Sequence, residues 1–292
     1  MNHNNLESEQ SLVPAHEHHE HEHSPEVDRL WEESNRNEIV AGFIEGKEVD
    51  EVVAPEELEK AFAEVPCCLG CSDGRIHDIR LGRAGMGIVA GVSETVESIK
   101  KLHKEGKIKE NFTITSHTGC GAAKIVCNQL IEQGKLPADT EPDSLGVKFA
   151  HDVVKGLWAE GIKAGYHHIE GDKMDKHHDE RAIYFDGTGK LNIETLVKKD
   201  GKKVFPRGFI FSALDFSDKA TETELKALCG IALGDHGFGH RFTIDTPFYI
   251  VITTESKQKK ERYTEIAEKV AKNFHGRVRV KAYVPSGISI DK

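Results

Sequence analysis

Residues 64–75 read Glu-Val-Pro-Cys-Cys-Leu-Gly-Cys-Ser-Asp-Gly-Arg, a short apolar strand that runs into a polar turn. Residues 111–121 read Asn-Phe-Thr-Ile-Thr-Ser-His-Thr-Gly-Cys-Gly, a β-branched strand that leads into a helix over about 121–133. Between them lie another strand at 78–84 and a helix at 93–105. Because strands that alternate with helices are typical of a mainly parallel sheet flanked by helices, the sequence predicts an α/β fold.

Metal-binding side chains stand at the ends of two of these strands. Cys71 closes the first and His117 closes the later one, and ligands of parallel sheets gather beyond the carboxyl ends of strands. Cys120 follows His117 by three residues, so both can face one ion where the chain enters the helix. Two thiolates and one imidazole, with a fourth position open, form the ligand set of a catalytic zinc site. We therefore predict that Cys71, His117 and Cys120 bind Zn²⁺.

Two charged residues follow the first ligand directly. Zinc held by two thiolates has a net charge near zero, so it acidifies a bound water less strongly than an all-histidine site does. A partner must therefore accept a hydrogen bond from the nucleophile, and Asp73, two residues from Cys71, is placed to do so. Arg75 can hold Asp73 off the metal through a two-pronged ion pair. We predict Asp73 and Arg75 as the catalytic residues.

The two motifs, Cys-x-Asp-x-Arg and His-x-x-Cys-Gly, each at the end of a strand, resemble those of the β-class carbonic anhydrases. Residues 78–89 resemble the strand of that family that ends in Arg-Asn-Ala-Gly-Asn, and residues 181–191 resemble its late strand. The resemblance covers roughly residues 30–195. The chain departs from the family in a shorter connection after Arg75 and in Ser116, where the family has glycine.

The resemblance implies a zinc lyase that reversibly hydrates carbon dioxide to bicarbonate and a proton by zinc-bound hydroxide. It also implies a homodimer with pocket walls shared across the interface, and Gly85, Gly87 and Gly121 as candidate substrate-pocket residues. Two alternatives stay open: a carbon disulfide or carbonyl sulfide hydrolase on the same site, and a non-catalytic zinc sensor or store. The G-x-G-x-x-A pattern at 85–90 formally fits a dinucleotide site, which is a weak signal alone.

The sequence divides into three predicted parts. Residues 1–26 form a His/Glu-rich tail without apolar periodicity, for which we expect disorder. Residues 27–200 form the zinc domain, with a β-carbonic-anhydrase-like core. Residues 201–292 form a C-terminal α+β extension whose strands at 208–214, 241–245, 247–254 and 277–284 and helices at 219–230 and 256–274 would suit a ferredoxin-like unit. No internal repeat is visible in the sequence.

Composition excludes several classes of function. Of the 292 residues, 39 are Lys or Arg and 49 are Asp or Glu, and the net charge of −10 argues against binding a nucleic-acid backbone. No apolar run approaches the roughly 20 residues that a membrane-spanning helix needs, and residues 1–26 offer no apolar core for a secretory signal. Six cysteines are too few for a disulfide scaffold in a chain of this length. We therefore expect a cytoplasmic protein.

Overall fold

The computed structural model consists of two four-stranded sheets in which all paired strands run parallel, with helices around them. The predicted α/β class is confirmed. No helix among the described residues is long and apolar enough to cross a membrane. The predicted tail lies almost entirely outside the described residues, which are 25–59, 61–62, 66–76, 80–174, 178–192, 205–213, 215–234 and 237–285.

The first sheet has the strand order β2-β1-β3-β4. Its central strand β1 is buried along its whole length, as expected of a parallel strand covered on both faces. Four short helices, α1 to α4, precede the sheet, and three longer ones connect its later strands. The bounds are α1 Pro25–Asn35, α2 Glu38–Ile44, α3 Val49–Val52, α4 Pro55–Glu59, β1 Cys68–Cys71, β2 Arg80–Arg83, α5 Val92–Lys104, β3 Phe112–His117, α6 Gly121–Glu132, α7 Pro142–Ala159 and β4 Ala164–Ile169.

The second sheet has the strand order β6-β5-β7-β8. Strands β5, β6 and β7 are buried throughout. Helix α8 begins at the N-cap Ser217 and helix α9 at the N-cap Ser256, and each serine hydroxyl accepts a hydrogen bond from a backbone N–H of the first turn. The bounds are β5 Ala182–Asp186, β6 Gly208–Ser212, α8 Asp218–Ala232, β7 Phe248–Thr253, α9 Lys257–Ala271 and β8 Val278–Tyr283.

The two sheets share one topology. In each, the first strand along the chain lies between the second and the third, and the fourth pairs with the third. The third strand of each sheet is followed by a helix, α6 or α9, and the fourth strand follows later in the chain. We therefore refer to the described residues up to β4 as the first half and to those from His178 onward as the second half.

The ferredoxin-like prediction for the C-terminal part is wrong. A ferredoxin-like unit needs antiparallel pairs, whereas β5, β6, β7 and β8 are all paired in parallel. The strand expected at 241–245 does not form, because a short 3-10 turn at Gly239–Arg241 and a hydrogen-bonded turn between Thr243 and Thr246 occupy that stretch. The described residues between α8 and β7, 233–234 and 237–247, therefore contain no strand.

The two halves meet where β2 lies against β6. Ile210 N donates to Ser72 O at 3.0 Å, and Gly82 N donates to Ser212 Oγ at 3.2 Å. A Cβ atom at Gly82 would lie 1.9 Å from the carbonyl oxygen of Ile210, so this close approach requires glycine. The second sheet is therefore held directly against the strand that neighbours β1.

Candidate metal centre

The three predicted metal ligands come together. Cys71 ends β1, His117 ends β3, and Cys120 is the N-cap residue of α6. Their ligand atoms all lie within 4.8 Å of one another, and all three residues are buried. Because β1 and β3 are adjacent parallel strands, their carboxyl ends meet at one edge of the sheet, where the turn into α6 adds the second sulfur. Cys71, His117 and Cys120 could thus hold a metal ion.

The geometry of the cluster fits a tetrahedral ion. Sulfur atoms Cys71 Sγ and Cys120 Sγ lie 3.9 Å apart, close to the about 3.8 Å that two metal–sulfur bonds of about 2.3 Å give at a tetrahedral angle. The Nδ1 atom of His117 lies 2.9 Å from Thr118 O, to which it can donate its proton. The Nε2 atom is then the one left to bind a metal, and it is buried without a hydrogen-bond partner.

The ligands perturb one another's pKa values. A hydrogen bond with Cys120 lowers the pKa of Cys71 well below its ordinary value, against the opposing effect of burial. That same hydrogen bond raises the pKa of the Cys120 thiol, and burial, the second largest cause, raises it further. Burial alone would lower the pKa of His117, but the neighbouring Cys71 thiolate outweighs it and raises that pKa to about 9. These shifts favour a thiolate on Cys71 beside a protonated His117.

Asp73 and Arg75 form the two-pronged pair that the sequence predicts. Arg75 Nη2 donates to Asp73 Oδ2 at 2.7 Å and Arg75 Nε donates to Asp73 Oδ1 at 3.0 Å. Burial would raise the pKa of the Asp73 carboxyl, but the guanidinium outweighs burial and holds that pKa well below its usual range. Asp73 Oδ2 lies 4.0 Å from His117 Nε2. The carboxylate is therefore beside the cluster but too far from that nitrogen for a hydrogen bond.

A cavity of about 270 Å³ opens beside the cluster. Cys71 and Asp73 line it from the first half, together with Lys124 of α6. The opposite wall comes from the second half and is mostly apolar, formed by Phe209 of β6 and by Leu228 and Ile231 of α8. Residues of the predicted C-terminal extension, 201–292, therefore line the cavity beside the metal cluster.

The three glycines predicted for the substrate pocket have different surroundings. Gly121 lines the cavity. A Cβ atom at Gly85 would lie 3.2 Å from Cys120 Sγ, so this glycine lets the backbone pass close to the ligand sulfur. Gly87 faces the hydroxyl of Thr95 on α5 and does not line the cavity described above. Gly85 and Gly87 have positive φ angles of 54° and 98°, which glycine adopts without strain.

Sequence reasoning missed three residues at the centre. His178 and Glu180 precede β5, and their side chains form a second cluster with Asp73 in which the candidate ligand atoms lie within 4.8 Å of one another. His168 lies on β4, a strand that the sequence analysis missed altogether, and its ring contacts Ser116 Oγ at 2.8 Å and Thr118 Oγ1 at 3.2 Å. His168 thus braces both residues that flank His117.

The second half carries no equivalent metal cluster among its described residues. Its first and third strands end at Asp186 and Thr253, and the N-cap of α9 is Ser256, three residues after Thr253. The Asp186 carboxylate accepts hydrogen bonds from Thr188 N, Thr188 Oγ1, Gly189 N and Leu191 N. Side chains with oxygen atoms thus stand at the positions that correspond to the cysteines and the histidine of the first half. The Asp186 carboxylate is already hydrogen-bonded to the turn that follows β5.

The chain matches no protein-family description, no curated protein and no solved structure. Its likeness to the β-class carbonic anhydrases therefore rests on the two motifs, on the parallel sheets and on the buried Cys-His-Cys cluster. The sheets and the cluster are compatible with a zinc-binding protein of that kind.

Proposed function

We propose that the protein is a zinc-dependent carbonic anhydrase that converts carbon dioxide and water reversibly to bicarbonate and a proton. The observation that carries the proposal is the Asp73–Arg75 pair beside a Cys-His-Cys cluster, with both opening on one cavity. Zinc held by Cys71, His117 and Cys120 would acidify a water molecule and so supply the nucleophile at neutral pH.

The role proposed for Asp73 follows from its charge and its position. Its carboxylate can accept a hydrogen bond from the nucleophilic water and so orient a lone pair of that water toward the substrate carbon. Arg75 occupies both carboxylate oxygens from the other side, which keeps Asp73 from moving onto the metal as a fourth ligand. The pair thus leaves a coordination position open.

The cavity wall suits a small apolar substrate. Carbon dioxide carries no net charge and no hydrogen-bond donor, so it gains from contact with apolar side chains such as Phe209, Leu228 and Ile231. The bicarbonate product is an anion, and the Lys124 side chain that lines the same cavity supplies a positive charge for it.

Stopped-flow measurement of carbon dioxide hydration by the zinc-loaded protein tests the proposal, with carbonyl sulfide and carbon disulfide hydrolysis measured in parallel. Cys120→Ser should lose both zinc and activity. Cys127→Ser is the matched control, because Cys127 is a buried free cysteine whose thiol bonds to Thr140 O, outside the cluster. Zinc-loaded wild-type protein with no hydration above the uncatalysed rate would overturn the proposal.

A further inference from the structure

We propose that Asp73, His178 and Glu180 form a second metal site, which binds a divalent transition-metal ion such as Zn²⁺ when that ion is in excess and so inhibits the protein. His178 and Glu180 come from the second half, and only Asp73 belongs to the two motifs that carry the cluster ligands. The metal site stands without the proposed function, whereas its inhibitory effect rests on the proposed hydration of carbon dioxide.

The three side chains are spaced as metal ligands. One ligand atom from each lies within 4.8 Å of the other two. His178 Nδ1 lies 3.4 Å from Glu180 Oε2. That separation is close to the about 3.4 Å that two zinc–ligand bonds of about 2.1 Å give at a tetrahedral angle. It exceeds the about 2.7–3.2 Å of an ordinary N–H···O hydrogen bond, so a metal ion suits the gap between these atoms better than a proton does.

Burial leaves the charge of Glu180 poorly compensated. Its side chain is 3% exposed, and its Oε1 atom has no hydrogen-bond partner among the described residues. Burial raises the pKa of this carboxyl, against the opposing effect of the neighbouring His178. A carboxylate that has lost its hydrating water gains from a bound cation, because the cation offsets the cost of desolvation. Glu180 is therefore suited to binding a metal ion.

The cavity beside the metal cluster gives solvent access to this second site. Asp73 and His178 both line that cavity, and the His178 side chain is 22% exposed. A smaller cavity of about 10 Å³ is lined by His178 and Glu180. A volume of that size holds about one water molecule. An ion can therefore reach the ligands from solvent, with room for water to complete its coordination.

Arg75 makes the second site weaker than the Cys-His-Cys cluster. Its guanidinium already donates to both oxygens of Asp73 and repels a cation bound there. The carboxylate can still bind an ion, because its two oxygens offer about four acceptor positions. One imidazole and two carboxylates suit zinc, but the cluster adds the softer thiolates that select this metal more strongly. We therefore expect zinc to fill the cluster first and the second site only at higher free zinc.

The position of Asp73 connects the second site to the reaction. Asp73 Oδ2 lies 4.0 Å from His117 Nε2, so this carboxylate stands between the two groups of ligands. An ion bound to Asp73 competes for the lone pairs that the proposed function assigns to the nucleophilic water. The ion also occupies part of the cavity through which carbon dioxide arrives. Hydration should therefore fall when zinc is in excess and recover when the excess is removed.

Zinc binding tests the site without reference to activity. In equilibrium dialysis of the full chain at buffered free zinc, we expect wild type to bind one more zinc per chain than His178→Ala or Glu180→Gln. Residues 1–24 are the same in every variant, so zinc bound by that His/Glu-rich segment cancels in the difference. His167→Ala, which removes an exposed histidine of β4, should bind as wild type does. Equal zinc content in wild type and His178→Ala across the whole range would overturn the proposal.

Stopped-flow hydration of carbon dioxide tests the inhibition. Excess zinc should lower kcat of wild type and of His167→Ala on the order of 10²-fold, as expected for loss of the Asp73 acceptor. His178→Ala, compared with its own rate at one zinc per chain, should keep its kcat at the same free zinc. A second zinc that binds without slowing wild type would overturn the inhibitory role. Wild type without hydration at one zinc per chain would overturn the proposed function, and the dialysis result would still decide whether the second site exists.

Discussion

At the scale of single residues, the metal-free cluster holds protons that a metal must displace. His117 has a pKa raised to about 9 and the Cys120 thiol has a raised pKa, so both are protonated at neutral pH. Metal binding requires the neutral imidazole and the thiolate. The proton on His117 is therefore present at neutral pH and is lost as the pH rises through about 9.

Zinc affinity should therefore rise with pH. We expect each proton displaced to change the apparent dissociation constant about tenfold per pH unit until its group is deprotonated, with the histidine contribution ending near pH 9. Competition with a chelating dye between pH 6 and 10, with chelator protonation corrected, measures this slope. A pH-independent affinity would show that the metal-free cluster is already deprotonated.

Asp73 and Arg75 should act as one unit. Asp73→Asn keeps the shape but weakens the acceptor and its hold on Arg75, so we expect a loss of turnover on the order of 10²-fold with zinc retained. Arg75→Ala should do comparable damage by freeing Asp73 to coordinate the metal. The double variant should be little worse than the worse single one, because the two residues serve one function.

Steady-state rates of the three variants, each with its zinc content determined, check this prediction. Arg29→Ala is a suitable control, since Arg29 also pairs with a carboxylate, Glu33, but on an exposed helix surface. Losses that multiply cleanly across the two sites, or near-wild-type turnover in Asp73→Asn, would contradict the paired role.

At the scale of elements, a buried ion pair connects β2 to α8. Arg83 Nη2 donates to Glu224 Oε1 at 2.7 Å, both side chains have no solvent exposure, and Glu224 Oε2 accepts from Ala84 N at 2.9 Å. The Arg83 guanidinium also stacks 3.6 Å from the ring centre of Phe216. The pair thus joins the two halves next to the turn that follows β2.

Glu224→Gln should destabilise the protein by about 3–5 kcal/mol, because it leaves the Arg83 charge buried without its counter-charge. Arg83→Met combined with Glu224→Leu should recover most of that loss, since the desolvation cost of both charges disappears. Urea unfolding of the zinc-loaded chain measures these changes. The exposed pair Arg29–Glu33 provides the control, where Glu33→Gln should cost less than about 0.5 kcal/mol.

The sequence predicts elements better than it predicts their pairing. The hydrophobic strands from β5 to β8 are visible in the sequence, but a buried apolar strand looks alike in parallel and antiparallel sheets. The false strand at 241–245 therefore led to a ferredoxin-like assignment. β4 reads Ala-Gly-Tyr-His-His-Ile and was missed because its polar side chains hide the pattern of a strand at the edge of the sheet.

The residues of the candidate site also differ in how well the sequence predicts them. Cys71, His117 and Cys120 could be predicted because each ligand type stands at a recognisable strand end or helix start. His178 and Glu180 could not, since only the packing of the second half brings a polar segment over a hundred positions away to Asp73. The local sequence shows which ligands a side chain can bind. Which side chains it contacts depends on elements far away in the chain.

At the scale of the whole molecule, one chain supplies both sides of the cavity. The first half provides Cys71 and Asp73, and the second half provides His178, Phe209 and Leu228. The resemblance to β-class carbonic anhydrases led us to predict a homodimer with shared walls, and the homodimer stays a prediction. The wall opposite the metal cluster, however, needs no second copy.

Specific activity should therefore be independent of protein concentration. Carbon dioxide hydration per bound zinc should stay constant on dilution from micromolar to nanomolar protein, while light scattering or mass photometry follows the oligomeric state across the same range. Activity that falls together with dissociation of an oligomer would show that a partner chain completes the site.

The two halves share a strand order but not a sequence, so they can change independently, as two identical subunits cannot. In a symmetric dimer of one gene product, every substitution appears twice, so a change that improves a wall also alters the matching surface around the other metal. Here the two halves are different segments of one chain, and Cys71 has Asp186 as its counterpart without any symmetry to enforce agreement. A mutation at Phe209 reshapes one wall of one centre, and selection can tune that wall without touching the ligands opposite.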